Sequence, residues 1–488
     1  MSPAIPDRFG RRALATATAA LVLLAGCADM SGISSQAHLR DAESLGLGAD
    51  VAHDVIAQID TNTVDPQWWL AFGDAQLNAL IDQALKDSPN LQIAYARVER
   101  AQAAAGVARS ADWPQIGAGL DLTRQKFSEN FIYPPPLGGS VREMGTFQFN
   151  GSWELDFFGK NRSALEAAIG TVNAAQAEAS ASRILLATRV ARGYIQWARL
   201  NGQQDVARRM LAQRQDALHL VRDRVSAGLD SMLELRESEA GLPEARQRIE
   251  ALDEQIEQTR HALDALVGQP GATQALVPPK LDAFKAIPLQ ASIPADLLGH
   301  RADVAAARWR VEAATQDVAN AKSQFYPNIN IAAFAGFQSL GFDQLFKSAS
   351  QQWGVGPAIR LPIFEGGRLR ANLHGKNADL DAAIESYNAT VLDAVRDVAD
   401  QVTAVQSIAR QQVQQRQGQA AAEGAYAISL QRYRAGLGNY LNVLTAETSV
   451  LAQRREGVDL AARALDAQVG LAHALGGGYD PEAAALKP

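Results

Sequence analysis

Two stretches of this chain, residues 160–227 and 367–435, each run for roughly seventy residues without a proline. In the second, apolar side chains fall at Ile384, Tyr387, Val391, Val395, Val398, Val402 and Val405. Steps of three and four place them along one side of a helix, as in a coiled-coil seam, and exclude a strand. At about 1.5 Å per residue such a helix is roughly 100 Å long, well beyond a globular domain. Gly228 and Gly436 follow these stretches, and glycine closes helices by taking the left-handed conformation. The chain then returns along 229–267 and 437–475, which predicts two long antiparallel helical hairpins.

The hairpins belong to a duplicated unit. Arg97-Val98-Glu99 and Trp113-Pro114-Gln115-Ile116 recur as Arg310-Val311-Glu312 and Tyr326-Pro327-Asn328-Ile329, both 213 positions later. Leu155-Asp156-Phe157-Phe158 and Arg162 match Leu361-Pro362-Ile363-Phe364 and Arg368 at an offset of 206. Ala227-Gly228-Leu229 matches Ala435-Gly436-Leu437, and Leu263 with Gly268 matches Leu471 with Gly476, both at 208. This period is too long for a solenoid and marks a repeated domain. We divide the chain into a first repeat, 66–268, a Pro- and Gly-containing linker, 269–294, a second repeat, 295–478, and a tail, 479–488. Each repeat reads helix, two strands, long helix, turn, helix.

The segments between the helices alternate with period two. Ile116, Ala118, Leu120 and Leu122 share one face, as do Phe147, Phe149, Gly151, Trp153 and Leu155. In the second copy Ile329, Ile331, Ala333 and Ala335 share a face, and so do Trp353, Val355, Ile359 and Leu361. Each run has about ten residues, the length that crosses a bilayer as a tilted strand. A soluble half-buried hairpin alternates in the same way, so the export signal below decides between the two. Phe127, Phe131 and Tyr133 on one side, and Trp113, Phe157, Phe158, Phe325, Tyr326 and Phe364 on the other, are the expected aromatic girdles. Four strands cannot close a barrel, and open edges do not survive in lipid. Two copies give eight strands, a barrel filled by its own side chains, whereas three give twelve and leave a pore.

Residues 1–26 read as a signal peptide. Arg8, Arg11 and Arg12 precede an apolar run over 13–25, and Leu24-Ala25-Gly26 stands directly before Cys27, the only cysteine. This arrangement resembles a bacterial lipoprotein signal, in which the cysteine is acylated and becomes the first mature residue. The alternative is an ordinary signal peptide followed by a free cysteine. Residues 27–65 lie outside the repeats and are expected to form a lipid-anchored tether along the surface. Ala28 rather than an acid follows the cysteine, which in sorted lipoproteins leaves the outer membrane open as the destination.

Composition excludes several classes of function. Lysine and arginine total 46 against 53 acids, a net charge of −7, which argues against a nucleic-acid partner. One cysteine rules out an intrachain disulfide or a multi-cysteine metal site. The seven histidines form no His-x-x-x-His pair, and no phosphate-binding Gly-x-x-x-x-Gly-Lys-Ser/Thr loop is present. We expect no enzyme, no metal and no cofactor other than a covalent lipid on Cys27.

Taken with the duplicated plan, Trp153-Glu154-Leu155-Asp156-Phe157-Phe158-Gly159-Lys160 and its partner Leu361-Pro362-Ile363-Phe364-Glu365-Gly366-Gly367-Arg368 resemble the strand-to-helix junctions of a known family. This is the outer-membrane factors of tripartite efflux and secretion systems, the TolC and OprM type. His300-Arg301-Ala302-Asp303-Val304 is similar to the family's Arg-Pro-Asp-Val/Ile motif, with Ala302 in place of proline. The lipoprotein start is similar to the branch that serves resistance-nodulation-division (RND) pumps. The resemblance implies an α+β membrane protein in the outer membrane, extending into the periplasm. It also implies a homotrimer with a twelve-stranded β-barrel continued by an α-helical barrel, a periplasmic adaptor and an inner-membrane pump. The implied function is a passive exit duct for small toxic molecules, with type I protein secretion as the alternative.

In such proteins the turns between long helices close the periplasmic end and meet the adaptor. Here they comprise Gly228, Leu229, Asp230 and Glu234 at the first turn, and Arg434, Gly436, Leu437, Asn439, Tyr440, Leu441 and Asn442 at the second. Asn442 and Thr445 stand where the family often places acids, whereas Asp230, Glu234 and Glu237 follow the first turn. The expected closure uses packing of Tyr440 and Leu441 and contacts between Arg434 and the first-turn acids of a neighbouring hairpin.

Overall fold

A computed structural model describes residues 30–40, 64–287 and 300–479. Cys27, the signal segment, most of the expected tether, part of the expected linker and nearly all of the tail lie outside the described residues. Two helices, α1 (Ala75–Asp87) and α2 (Pro89–Ser110), precede strands β1 (Gln115–Lys126) and β2 (Val141–Glu154). The long helix α3 (Lys160–Ser226) and its return α4 (Met232–Val267) complete the first copy. The second copy repeats the order with α5 (Ala302–Ser323), β3 (Asn328–Leu340), β4 (Gln351–Arg360), α6 (Arg368–Arg434) and α7 (Tyr440–Ala474). Both long helices have 67 residues, or roughly 100 Å at about 1.5 Å per residue. No helix among the described residues is apolar enough over its length to cross a membrane.

The chain forms two compact units. The first contains all four strands, in one antiparallel sheet of order β1-β2-β3-β4. Its register sets Leu120 opposite Phe147, Phe147 opposite Phe337, Ala335 opposite Trp353, and Ile329 opposite Ile359. Directly opposed residues share a face, so the apolar members of all four strands form one continuous surface. That surface stands open in the chain: Ile116 is 77% exposed, Trp353 78% and Val355 68%. Gln148, Asn150, Gln352 and Arg360 lie on the other face. β1 and β4 are the sheet's edges.

Two of the expected girdle aromatics are not girdle residues. Phe127 is buried edge-on against Tyr133, 4.9 Å between ring centres. Phe325 is buried among Val318, Ala321, Leu369 and Leu373, where α5 packs on α6. Trp113, Phe157, Tyr326 and Phe364 remain exposed, and Phe158 stacks on Tyr326 at 5.0 Å. Residues 30–40 hold no regular element and lie along α6. The Asp381 carboxylate accepts from the backbone N–H groups of Gln36 and Ala37 and from the Ser35 hydroxyl.

The second unit is built on helix packing. Trp68, Trp69 and Phe72, ahead of α1, are buried with Tyr194 and Trp197 of α3, Leu252 and Leu263 of α4 and Val469 of α7. Asp74 caps α1 by accepting from the Leu77 N–H at 2.9 Å, and the Tyr194 hydroxyl donates to the same carboxylate. Arg301 is 4% exposed; it donates to Asp303 at 2.7 Å and to the Ala474 carbonyl at 3.2 Å. The Arg-x-Asp spacing thereby ties the start of α5 to the end of α7.

Candidate functional site

The two helical turns have the same local geometry, 208 positions apart. Gly228 has φ +71° and Gly436 φ +73°, the left-handed conformation in which glycine has no steric penalty. The Leu229 N–H closes its turn on the Arg224 carbonyl at 2.9 Å, and the Leu437 N–H on the Arg432 carbonyl at 2.8 Å. Ser231 then caps α4 in a capping box with Glu234, and Asn439 caps α7 by accepting from the Asn442 N–H at 3.1 Å.

The side chains break this symmetry. Closing the first turn on Arg224 brings its guanidinium to Asp230, where Nε and Nη2 donate to the two carboxylate oxygens at 2.9 and 3.2 Å. Such a fork is the strongest form of the charge-assisted pair. Tyr433, from the end of α6, donates its hydroxyl to the same carboxylate, and its ring lies 4.6 Å below the Arg224 guanidinium. The ion pair is sheltered, at 12% and 9% side-chain exposure. Beneath it Tyr433, Tyr440, Val221 and Val443 form a buried cluster, with the tyrosine rings 5.6 Å apart. The second copy lacks this arrangement because Gly438 stands where Asp230 stands in the first.

The bond to Arg224 holds the Asp230 carboxyl below the usual carboxylate range, in spite of burial. Burial and the neighbouring carboxylate raise the Tyr433 hydroxyl, so it stays protonated and donating. Glu234 is also lowered, by the Ser231 hydroxyl, and is occupied in its cap.

Of the residues singled out from the sequence, Asp230 and Tyr440 lie in this constellation. Arg434 does not: its side chain is exposed, and Asp230 is taken by Arg224 and Tyr433. In the single chain Leu441 is 59% exposed, as are Leu229 at 65% and Leu437 at 69%. The turns therefore present leucines outward over a polar lock. Tyr433 is not among the residues that the sequence pattern points to. The signal for it is the repeat, in which tyrosine replaces Val225 beside a turn that has lost its acid.

The family model described as outer membrane efflux protein matches residues 80–269 and 293–477. The fusaric acid resistance protein FusA of Burkholderia cepacia is 37% identical over 76% of this chain and 70% of its own length. The multidrug resistance outer membrane protein MdtQ of Escherichia coli O157:H7 is 34% identical over 94% of this chain and 96% of its own. The crystal structure of the outer membrane protein VceC from Vibrio cholerae superposes with a TM-score of 0.81 at 36% identity, covering 86% of this chain and all of that one. With its duplicated plan, its four bilayer-length strands and its paired helical turns, this chain belongs to the outer membrane efflux protein family.

Proposed function

We propose that three copies of this chain close one twelve-stranded barrel, an exit duct that works with a periplasmic adaptor and an RND-type inner-membrane pump. The protein is an outer-membrane efflux channel; its stoichiometry and its partners are our reading. The observation that carries it is the sheet: one apolar face across four strands, and two edges whose backbone groups need partners in lipid. Three copies supply those partners edge to edge and leave a lumen lined by the polar face. Native mass spectrometry in detergent should show three copies; a well-behaved monomer without detergent overturns the reading. Relatives named for multidrug and fusaric acid resistance favour small toxic molecules as cargo over protein secretion.

Cys27 is, in this reading, the lipid anchor. Arg370 donates to the Ser31 carbonyl at 3.2 Å, and Met30 and Ile33 pack on the cluster containing Leu369 and Leu373. From Ala37 to Ser31 the segment thus passes from Asp381 toward the start of α6. Met30 stands three positions after Cys27, a span of at most about 10 Å that suits acyl chains entering lipid there. Cys27→Ser should abolish palmitate labelling and leave assembly intact. A wild-type mature chain whose intact mass carries no acyl groups refutes the anchor.

The helical turns form the gate in this reading. Asp230, clamped by Arg224 and Tyr433, joins the first turn to the second hairpin and holds the closed tip. The exposed Leu229, Leu437 and Leu441 give the adaptor an apolar docking edge.

A further inference from the structure

The lock at the turns leaves a second concentration of charge in the same unit unexplained. A cavity of about 340 Å³ between α3, α4 and α7 is lined by Arg214, Arg248 and Arg455, with Glu244, Met210 and Leu451. Three guanidinium groups around so small a space repel one another unless negative charge lies between them. The acids nearby are largely committed: Asp459 and Glu244 act on Arg455, but Asp459 already accepts from Arg199 and Gln203. Arg214 spends Nη1 on Glu244, at 3.1 Å, and on the Gly241 carbonyl, at 2.7 Å, two residues before the helix-interior Pro243. Its Nε forms a long ion pair with Glu447 at 3.4 Å. Glu447 is 4% exposed, and burial raises its carboxyl above the usual range, against the pull of Arg214. The Arg248 Nε is buried without a hydrogen-bond partner. Burial, and then the charge of Arg248, weakens the hold of Arg455 on its proton.

We propose that this cavity binds a small, doubly charged oxyanion of the sulfate or phosphate class between Arg214, Arg248 and Arg455. Such an anion offers acceptors in several directions, and the planar arginine fork matches them in pairs. It provides an acceptor for the buried Arg248 Nε–H and offsets the mutual repulsion of the three cations. Because the arginines come from both helical hairpins, the bound anion ties α3 and α4 to α7 and favours the folded state by mass action.

The test is calorimetric titration of sodium sulfate into the full-length protein in detergent, with ionic strength held constant by sodium chloride. Saturable binding is expected, and Arg248→Gln and Arg455→Gln should each weaken it about tenfold or more. Arg246→Gln, at an exposed position on the same helix, should leave it unchanged. Arg455→Lys keeps the charge and loses the fork, so intermediate weakening is expected even if a glutamine variant fails to assemble. No saturable heat across the millimolar range, or equal heats in all variants, overturns the site. Dissociation of the trimer in Arg248→Gln without any sulfate response assigns the arginines to acids of a neighbouring copy, and overturns it equally.

Discussion

Replacing Asp230 by alanine is expected to raise the open fraction of the channel more than tenfold in single-channel recordings. The substitution leaves the sheltered Arg224 guanidinium without its carboxylate and the Tyr433 hydroxyl without its acceptor. Removing one member of a buried pair costs about 3 kcal/mol, because the remaining charge is left unpaired. If only half of that falls on the closed arrangement, the closed-to-open ratio still changes by about tenfold. Tyr433→Phe keeps the ring under Arg224 and removes one hydrogen bond, so its effect should be about 1 kcal/mol, a change of a few-fold. Arg434→Ala, at an exposed position outside the lock, should do nothing. The pH dependence follows from the same pair. Arg224 depresses the Asp230 pKa, so the lock is fully present above the usual carboxylate range and is lost only as pH falls through the lowered value. Mild acid should leave the tip closed. Unchanged conductance and unchanged vancomycin leakage in Asp230→Ala would place the closure elsewhere.

The fold was legible because its determinants are periodic and repeated. A proline-free run of helical period has few alternatives at that length, and the two glycine turns fix where it reverses. Strand faces read correctly from alternation alone, since a slip of one residue moves every side chain to the other face. What failed was partner choice. Phe127 and Phe325 have girdle composition but are buried against Tyr133 and Leu373, contacts made between elements distant from any local pattern. Arg434 and Arg224 are equally plausible partners for Asp230 by sequence. The choice falls to Arg224 because its carbonyl accepts the Leu229 N–H and so places its side chain within the same turn. The ring of Tyr433 comes from the other hairpin, some two hundred positions away, and no local pattern reports such a pairing.

The repeat also identifies the substitution expected to do the most damage to folding. Gly268 and Gly476 end the returning helix of each copy, with φ +81° and +100°. Their missing side chains face equivalent backbone: a Cβ on Gly268 would lie 2.8 Å from the Asp87 carbonyl oxygen, just before α2, and one on Gly476 would lie 1.8 Å from that of His300, just before α5. In both copies the end of the hairpin is pressed against the backbone just before a shorter helix of the same unit. Gly476→Val therefore adds a left-handed strain of about 1–3 kcal/mol to an overlap that only backbone movement relieves. The overlap would part the Arg301 guanidinium from the Ala474 carbonyl, which it now bonds at 3.2 Å. Loss of nearly all heat-sensitive trimer from the outer membrane is expected, with Gly268→Val less severe. Gly375→Ala, inside α6 with nothing within 4 Å, is the contrasting case: removing a helix-interior glycine should stabilise by about 0.5–1 kcal/mol. Trimer yield and melting temperature measured side by side decide it, and normal assembly of Gly476→Val would show that the close approach to His300 does not constrain the fold.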